Sequence, residues 1–130
     1  MNQISCRGEV RVALPPDAAI ELFTPEGERR WVSGWDPLYP GADDTVFLTP
    51  GTTWVTVERG ARTRRYARVT PGVQAGTVDV TCRPDGKGSV ATVSYELTAL
   101  SEAAEPELAT FADRYTELMS TWEREIAACV

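Results

Sequence analysis

The stretch EPELATFADRYTELMSTWEREIAACV, residues 105–130, decides the fold. Leu108, Phe111, Tyr115, Leu118, Met119, Trp122, Ile126 and Cys129 recur at steps of three and four, which places them on one stripe of a helix. Glu107, Asp113, Arg114, Glu117, Glu123, Arg124 and Glu125 fall on the other face. Pro106 suits the first turn, where its missing N–H costs nothing. No glycine or further proline interrupts the run, so the spacing predicts one continuous helix, about 37 Å long at the α-helical rise. A rod of that length needs a broad apolar partner, and the chain before it reads as strands.

Working back from the helix, residues 89–99 alternate over the longest of these strands. Ala91, Val93, Tyr95, Leu97 and Ala99 form the apolar face; Val90, Thr92, Ser94, Glu96 and Thr98 form the other. Four more strands precede it at 45–49, 53–58, 64–70 and 75–82. Turns at Pro50-Gly51, Arg59-Gly60-Ala61, Pro71-Gly72 and Pro84-Asp85-Gly86-Lys87-Gly88 separate them. Turns this short make an antiparallel meander. The chain opens on another strand, 4–14, with Ile4, Cys6, Gly8, Val10, Val12 and Leu14 facing one way. Pro15-Pro16-Asp17 ends it and starts a short helix, 17–23. Thr24 then caps a second short helix that opens on Pro25 and runs to about Val32. Glu26 and Glu28 suit that first turn because the helix dipole favours acidic groups there. The following segment, Trp31 to Gly41, packs two tryptophans, a tyrosine, two prolines and two glycines into eleven residues, a rigid aromatic loop.

The order is therefore β-α-α-β5-α: an α+β fold, a curved antiparallel sheet of about six strands wrapped around a long C-terminal helix. Without a repeat, a low-complexity segment or a linker, residues 1–130 are expected to form one domain.

Composition removes several functions. A net charge of -6 disfavours nucleic acid as a partner. No apolar run approaches bilayer length, so integral membrane association is not expected. The first eight residues lack a charged segment followed by an apolar one, so no signal peptide is expected. The chain has no histidine, and Cys6, Cys82 and Cys129 form no CxxC pair. No metal site and no cofactor are expected, and the usual histidine-based nucleophile systems are absent. Three thiols of this kind fit a reducing cytoplasm.

The segments Leu14-Pro15-Pro16-Asp17-Ala18, Leu22-Phe23-Thr24-Pro25-Glu26-Gly27-Glu28 and Trp31-Val32-Ser33-Gly34-Trp35-Asp36-Pro37 carry a resemblance, as do the strand 93–101 and the closing Tyr115…Trp122-Glu123. Together they resemble the START-like superfamily, also called SRPBCC or helix-grip, and within it the polyketide cyclase/lipid-transport-like branch. The resemblance covers essentially the whole chain. It implies a deep, largely apolar cavity between the sheet and the long helix. It says little about the ligand, because the superfamily includes carriers, receptors, cyclases, hydrolases and chaperone regulators.

Candidates for lining such a cavity are Trp31, Trp35, Phe47, Trp54, Tyr66, Tyr95, Phe111, Tyr115 and Met119, each of which could equally fill the core. Trp122 reads as a core residue. Asp36 and Glu96 are the candidate acids or bases. Asp36 precedes Pro37 and reads better as a turn residue, and Glu96 falls on the polar face of its strand. Arg59, Arg62, Arg64, Arg65 and Arg68 form the only basic run, which could meet an anionic ligand head group or partner but reads better as a solvated strand face.

The expected function is binding or transport of a small hydrophobic molecule. The alternatives are a cyclase/hydratase-like enzyme, a lyase or isomerase working in the same cavity, and a protein-interaction or chaperone-regulator-like module. The balance is against an enzyme, since no carboxylate is placed convincingly in a cavity. The oligomeric state, homodimer included, stays open.

Overall fold

Six antiparallel strands in the order β1-β6-β5-β4-β3-β2 carry the structure, a computed structural model that describes residues 2–130. Met1 lies outside the described residues. The strands are β1 (Gln3–Val12), β2 (Val46–Thr49), β3 (Thr52–Arg59), β4 (Thr63–Thr70), β5 (Gln74–Asp85) and β6 (Gly88–Ala99). β2 to β6 form the meander, and β1 closes onto β6, Gln3 against Thr98 through to Val12 against Ser89. A bulge between Thr56 and Glu58 bends β3. β5 runs on through Pro84 to Asp85, so the hairpin turns on Gly86 and Lys87, with Gly86 at φ 60°.

Between β1 and β2 lie α1 (Pro16–Ala19), a 3₁₀ turn (Ile20–Phe23) and α2 (Pro25–Glu28). Thr24 caps α2: its hydroxyl accepts from Gly27 N at 3.0 Å and donates to Glu21 O at 2.7 Å. Gly27 is needed for contact. A Cβ there would lie 1.8 Å from the Glu21 carbonyl oxygen, so only glycine lets α2 rest on the 3₁₀ turn.

The C-terminal helix departs from the continuous rod that its sequence predicts. It is two helices, α3 (Glu105–Asp113) and α4 (Tyr115–Cys129), joined at Arg114 with φ -99° and ψ 5°. Hydrogen bonds cross the joint, Arg114 N to Thr110 O and Leu118 N to Arg114 O, both at 3.0 Å. The two pieces follow different ground. Phe111 of α3 meets Tyr95 of β6, edge to face at 5.0 Å, whereas Tyr115 and Met119 of α4 settle over Gly8 of β1. A Cβ on Gly8 would lie 2.7 Å from Met119 Cγ. Tyr115 also fastens α4 to the sheet by donating to Val93 O at 2.6 Å.

The core runs from Val10 and Val12 through Val80, Ala91, Val93 and Leu97 to Ile126, with Ile20 and Leu22 entering from the 3₁₀ turn. No helix among the described residues is long and apolar enough to cross a membrane.

Candidate functional site

α4 packs across β1, at one end of the sheet, and does not extend over the inner face of β3, β4 and β5. The 3₁₀ turn, α2 and the aromatic loop roof that part instead. Beneath them lies a cavity of about 200 Å³, lined by Phe23, Glu28, Val32, Trp35, Phe47, Trp54, Tyr66, Arg68, Val78, Val80, Val93, Tyr95 and Trp122. The C-terminal helices contribute only Trp122 to this wall.

The aromatic wall is held by its own polar atoms. Trp35 Nε1 donates to Pro25 O at 2.8 Å, Trp54 Nε1 to Thr49 Oγ1 at 2.9 Å, and the Tyr66 hydroxyl to Phe23 O at 2.8 Å. Phe47 stacks on Trp54 at 5.5 Å, and Trp35 and Tyr66 set their edges against that pair. With these donors spent, the rings turn apolar faces inward.

Three polar groups in the wall remain. Glu28 is half-buried and borders the cavity. Burial pushes its carboxyl up to about 8, so it carries its proton at neutral pH. Arg68 extends over Trp54, its Cζ 4.5 Å from the ring centroid. Its Nε has no hydrogen-bond partner, and burial lowers its pKa. Tyr95 is buried, which raises its phenol well above the usual range, with the Glu28 carboxyl adding to the effect.

The proposed lining residues separate into two groups. Trp35, Phe47, Trp54, Tyr66 and Tyr95 border the cavity. Trp31, Phe111, Tyr115 and Met119 sit outside it. Trp31 donates Nε1 to Leu22 O at 2.8 Å and packs between Phe23 and Trp122. Phe111 and Tyr115 form a second cluster with Tyr95, and Met119 rests on Gly8. Trp122, read as core, touches both Trp31 and the cavity.

Asp36 and Glu96 lie elsewhere. Asp36 is exposed and pairs with Arg29 at 2.7 Å. The same guanidinium binds Glu26, to which the Tyr39 hydroxyl donates. That clasp fixes the aromatic loop to α2. It holds Glu26 below the usual carboxylate range, the Tyr39 hydrogen bond first, and raises Tyr39 to about 12 through burial and then that bond. Glu96 points from the outer face of the sheet, into a charged, open depression of about 760 Å³ with Arg7, Arg65, Asp79 and Arg83. Its size reflects the breadth of a solvated sheet face.

The basic run divides in a way the sequence reading did not anticipate. Arg59, Arg62 and Arg65 pair with Asp44, Asp17 and Asp79 at the surface. Arg64 is buried and spends its guanidinium on Gly60 O, Thr63 O and Glu21. Arg68 alone enters the cavity. The sequence marks Arg68 only as one of a basic run that could meet an anion, and explains Glu28 fully by its place at a helix start. The available signal for Arg68 was its alternation with Tyr66 on β4, which puts both on one face. Among the described residues no cluster of side chains could hold a metal ion, and all three cysteines are free thiols; burial raises Cys82 to about 11.

No protein-family model matches the chain, and no curated protein matches it. Solved structures do. Ara h 8.0201 is similar at 10% identity and a TM-score of 0.70, over 97% of this chain and 99% of that one. An uncharacterised protein from Rhizobium leguminosarum is similar at 16% identity and a TM-score of 0.66, over 97% and 95%. The di-domain ARO/CYC StfQ from the steffimycin biosynthetic pathway is similar at 15% identity and a TM-score of 0.66, over 97% of this chain and 49% of StfQ. With the sheet order and the terminal helices laid across β1 and β6, these likenesses establish that the chain has the helix-grip fold of START-like proteins.

Proposed function

We propose that the protein binds a small, largely apolar molecule in the cavity under the aromatic loop. The observation that carries this reading is the state of the ring donors. Trp35, Trp54 and Tyr66 are tied to the protein's own acceptors, so the wall is preformed and presents apolar faces around about 200 Å³ of space. An apolar cavity of about 150 Å³ is enough for one benzene ring, and drug-sized sites begin at about 300 Å³. The guest is therefore a compact molecule of one or two rings. Binding is driven by removing its apolar surface from water, with the few free polar groups setting its orientation. The likeness to an ARO/CYC protein of a biosynthetic pathway supports a small-molecule role. The free thiols fit a reducing, cytoplasmic setting. The unfilled interior weighs against an interaction module built on a solid core.

Native mass spectrometry of the freshly purified protein tests the reading, with identification of any retained molecule and titration with an environment-sensitive apolar dye. Retention or saturable dye uptake is expected. A protein that carries nothing and takes up no dye would sink the proposal.

One observation favours a second reading, acid–base catalysis of a cyclase or hydratase kind. Glu28 titrates at about 8 beside the space a guest would fill, which suits a group that both gives and takes a proton at neutral pH. In that case Glu28→Gln abolishes turnover while leaving binding intact; an unchanged rate in that variant excludes the reading.

A further inference from the structure

Among the described residues Arg68 is the only basic one in the cavity wall, and its guanidinium makes no hydrogen bond or ion pair there. Its Cζ lies over the Trp54 ring, 4.5 Å from the centroid. A cation–π contact consumes no N–H donor, and Nε has no partner. Among the described residues no acid pairs with it and no side chain or carbonyl accepts from it. Its Nε and the Oε1 of Gln74 are the buried side-chain polar atoms without a partner. The two residues are neighbours in register on the inner face, Arg68 opposite Gly76 and Thr70 opposite Gln74. An unpartnered buried guanidinium nitrogen at the wall of an apolar hollow, with an unpartnered amide oxygen beside it on the next strand, is costly to maintain. Other cations near this part of the fold are spent: Arg64 on Gly60 O, Thr63 O and Glu21, and Arg59 on Asp44.

We propose that the occupant is a small planar carboxylic acid, its one- or two-ring body against Trp35, Phe47 and Trp54 and its carboxylate on the free edge of the Arg68 guanidinium. The inference rests on the cavity being a binding site. A guanidinium matches a carboxylate in its own plane, two donors to two oxygens. A single cation balances a single negative charge, so a carboxylate fits better than a phosphate dianion. Tyr95 borders the same space, and its hydroxyl is a donor suited to a ligand oxygen. Glu28, neutral at pH 7, does not cancel the charge of Arg68. The chain as a whole carries -6 and repels anions at long range, so a preference for an anion has to arise locally.

The test compares 2-naphthoate with its neutral isostere 2-naphthamide by isothermal titration calorimetry at pH 7 on the full chain. The two probes share a ring system and differ in charge. Naphthoate is expected to bind at least roughly tenfold more tightly, as a charge-assisted pair in a dry site requires. Arg68→Met is expected to erase the preference and keep amide binding. Equal or tighter amide binding to the wild type overturns the proposal, as does a preference that survives in Arg68→Met. Should that variant fail to fold, the wild-type pair of probes decides alone. Binding of the amide or uptake of the dye without a naphthoate preference leaves the cavity reading standing and ends this one. If the dye and both probes all fail to bind, both fall.

Discussion

The Arg68 guanidinium lies 4.5 Å over the Trp54 indole, with no anion hydrogen-bonded to its Nε. It gives up hydration and recovers only the cation–π attraction and the packing of its stem. Replacing it by a flexible apolar chain of similar length removes that cost. Arg68→Met is therefore expected to stabilise the ligand-free protein by about 1 kcal/mol, read as a higher urea midpoint at constant slope. A loss of stability on that substitution would mean that the arginine serves the fold.

Glu28 makes stability depend on pH. Its carboxyl titrates at about 8 in the folded chain against an ordinary 4.5, so the folded state holds the proton more tightly than the unfolded one. Stability is then fully present below about pH 4.5 and declines as pH rises through 8, where the buried group must ionise. Glu28→Gln removes this slope. At pH 8 to 9 the variant is expected to exceed the parent by on the order of 3 kcal/mol, with little difference near pH 4. Melting temperatures of the two proteins across that range check it, and parallel curves would show that Glu28 is hydrated.

The position of Glu28 depends on the residue before it. A methyl group at Gly27 would lie 1.8 Å from a backbone oxygen of the 3₁₀ turn, and no side-chain rotation relieves that. Gly27→Ala has to lift α2 away. We expect a loss of about 3 kcal/mol by chemical denaturation, together with weaker dye uptake, because α2 carries part of the cavity wall.

Tyr115 provides the contrast. Its hydroxyl ties α4 to β6 through Val93 O at 2.6 Å, and the residue lies outside the cavity. Tyr115→Phe is expected to cost about 1 kcal/mol of stability and to leave small-molecule affinity unchanged. A change in affinity without a change in stability would contradict that placement.

The strands and their turns were legible because period two and the Pro-Gly signals are local. The terminal helix was legible from its stripe, but its bend at Arg114 was not. Neither a glycine nor a proline marks that position; the bend comes from fitting Phe111 to β6 and Met119 to β1. Glu28 was hidden for a related reason. Helical periodicity assigns no face to a four-residue helix, and the dipole supplied a sufficient explanation for an acid in its first turn. Arg68 was masked by its company. Five arginines close together read as a solvated surface, although Arg64, Tyr66 and Arg68 alternate on one side of β4 and turn inward together. The roof over the cavity could not be read either, since it depends on where α4 lies across the sheet.

The seam between β1 and β6 sets a timetable. Gln3 waits for Thr98, and Val12 waits for Ser89. During synthesis the opening strand therefore leaves the ribosome with one backbone edge unmatched until residues 88–99 follow it, and the terminal helices come later still. Assembly has to finish on a strand made long before its partner, a long-range closure of the kind that slows folding and leaves an early strand open to mispairing.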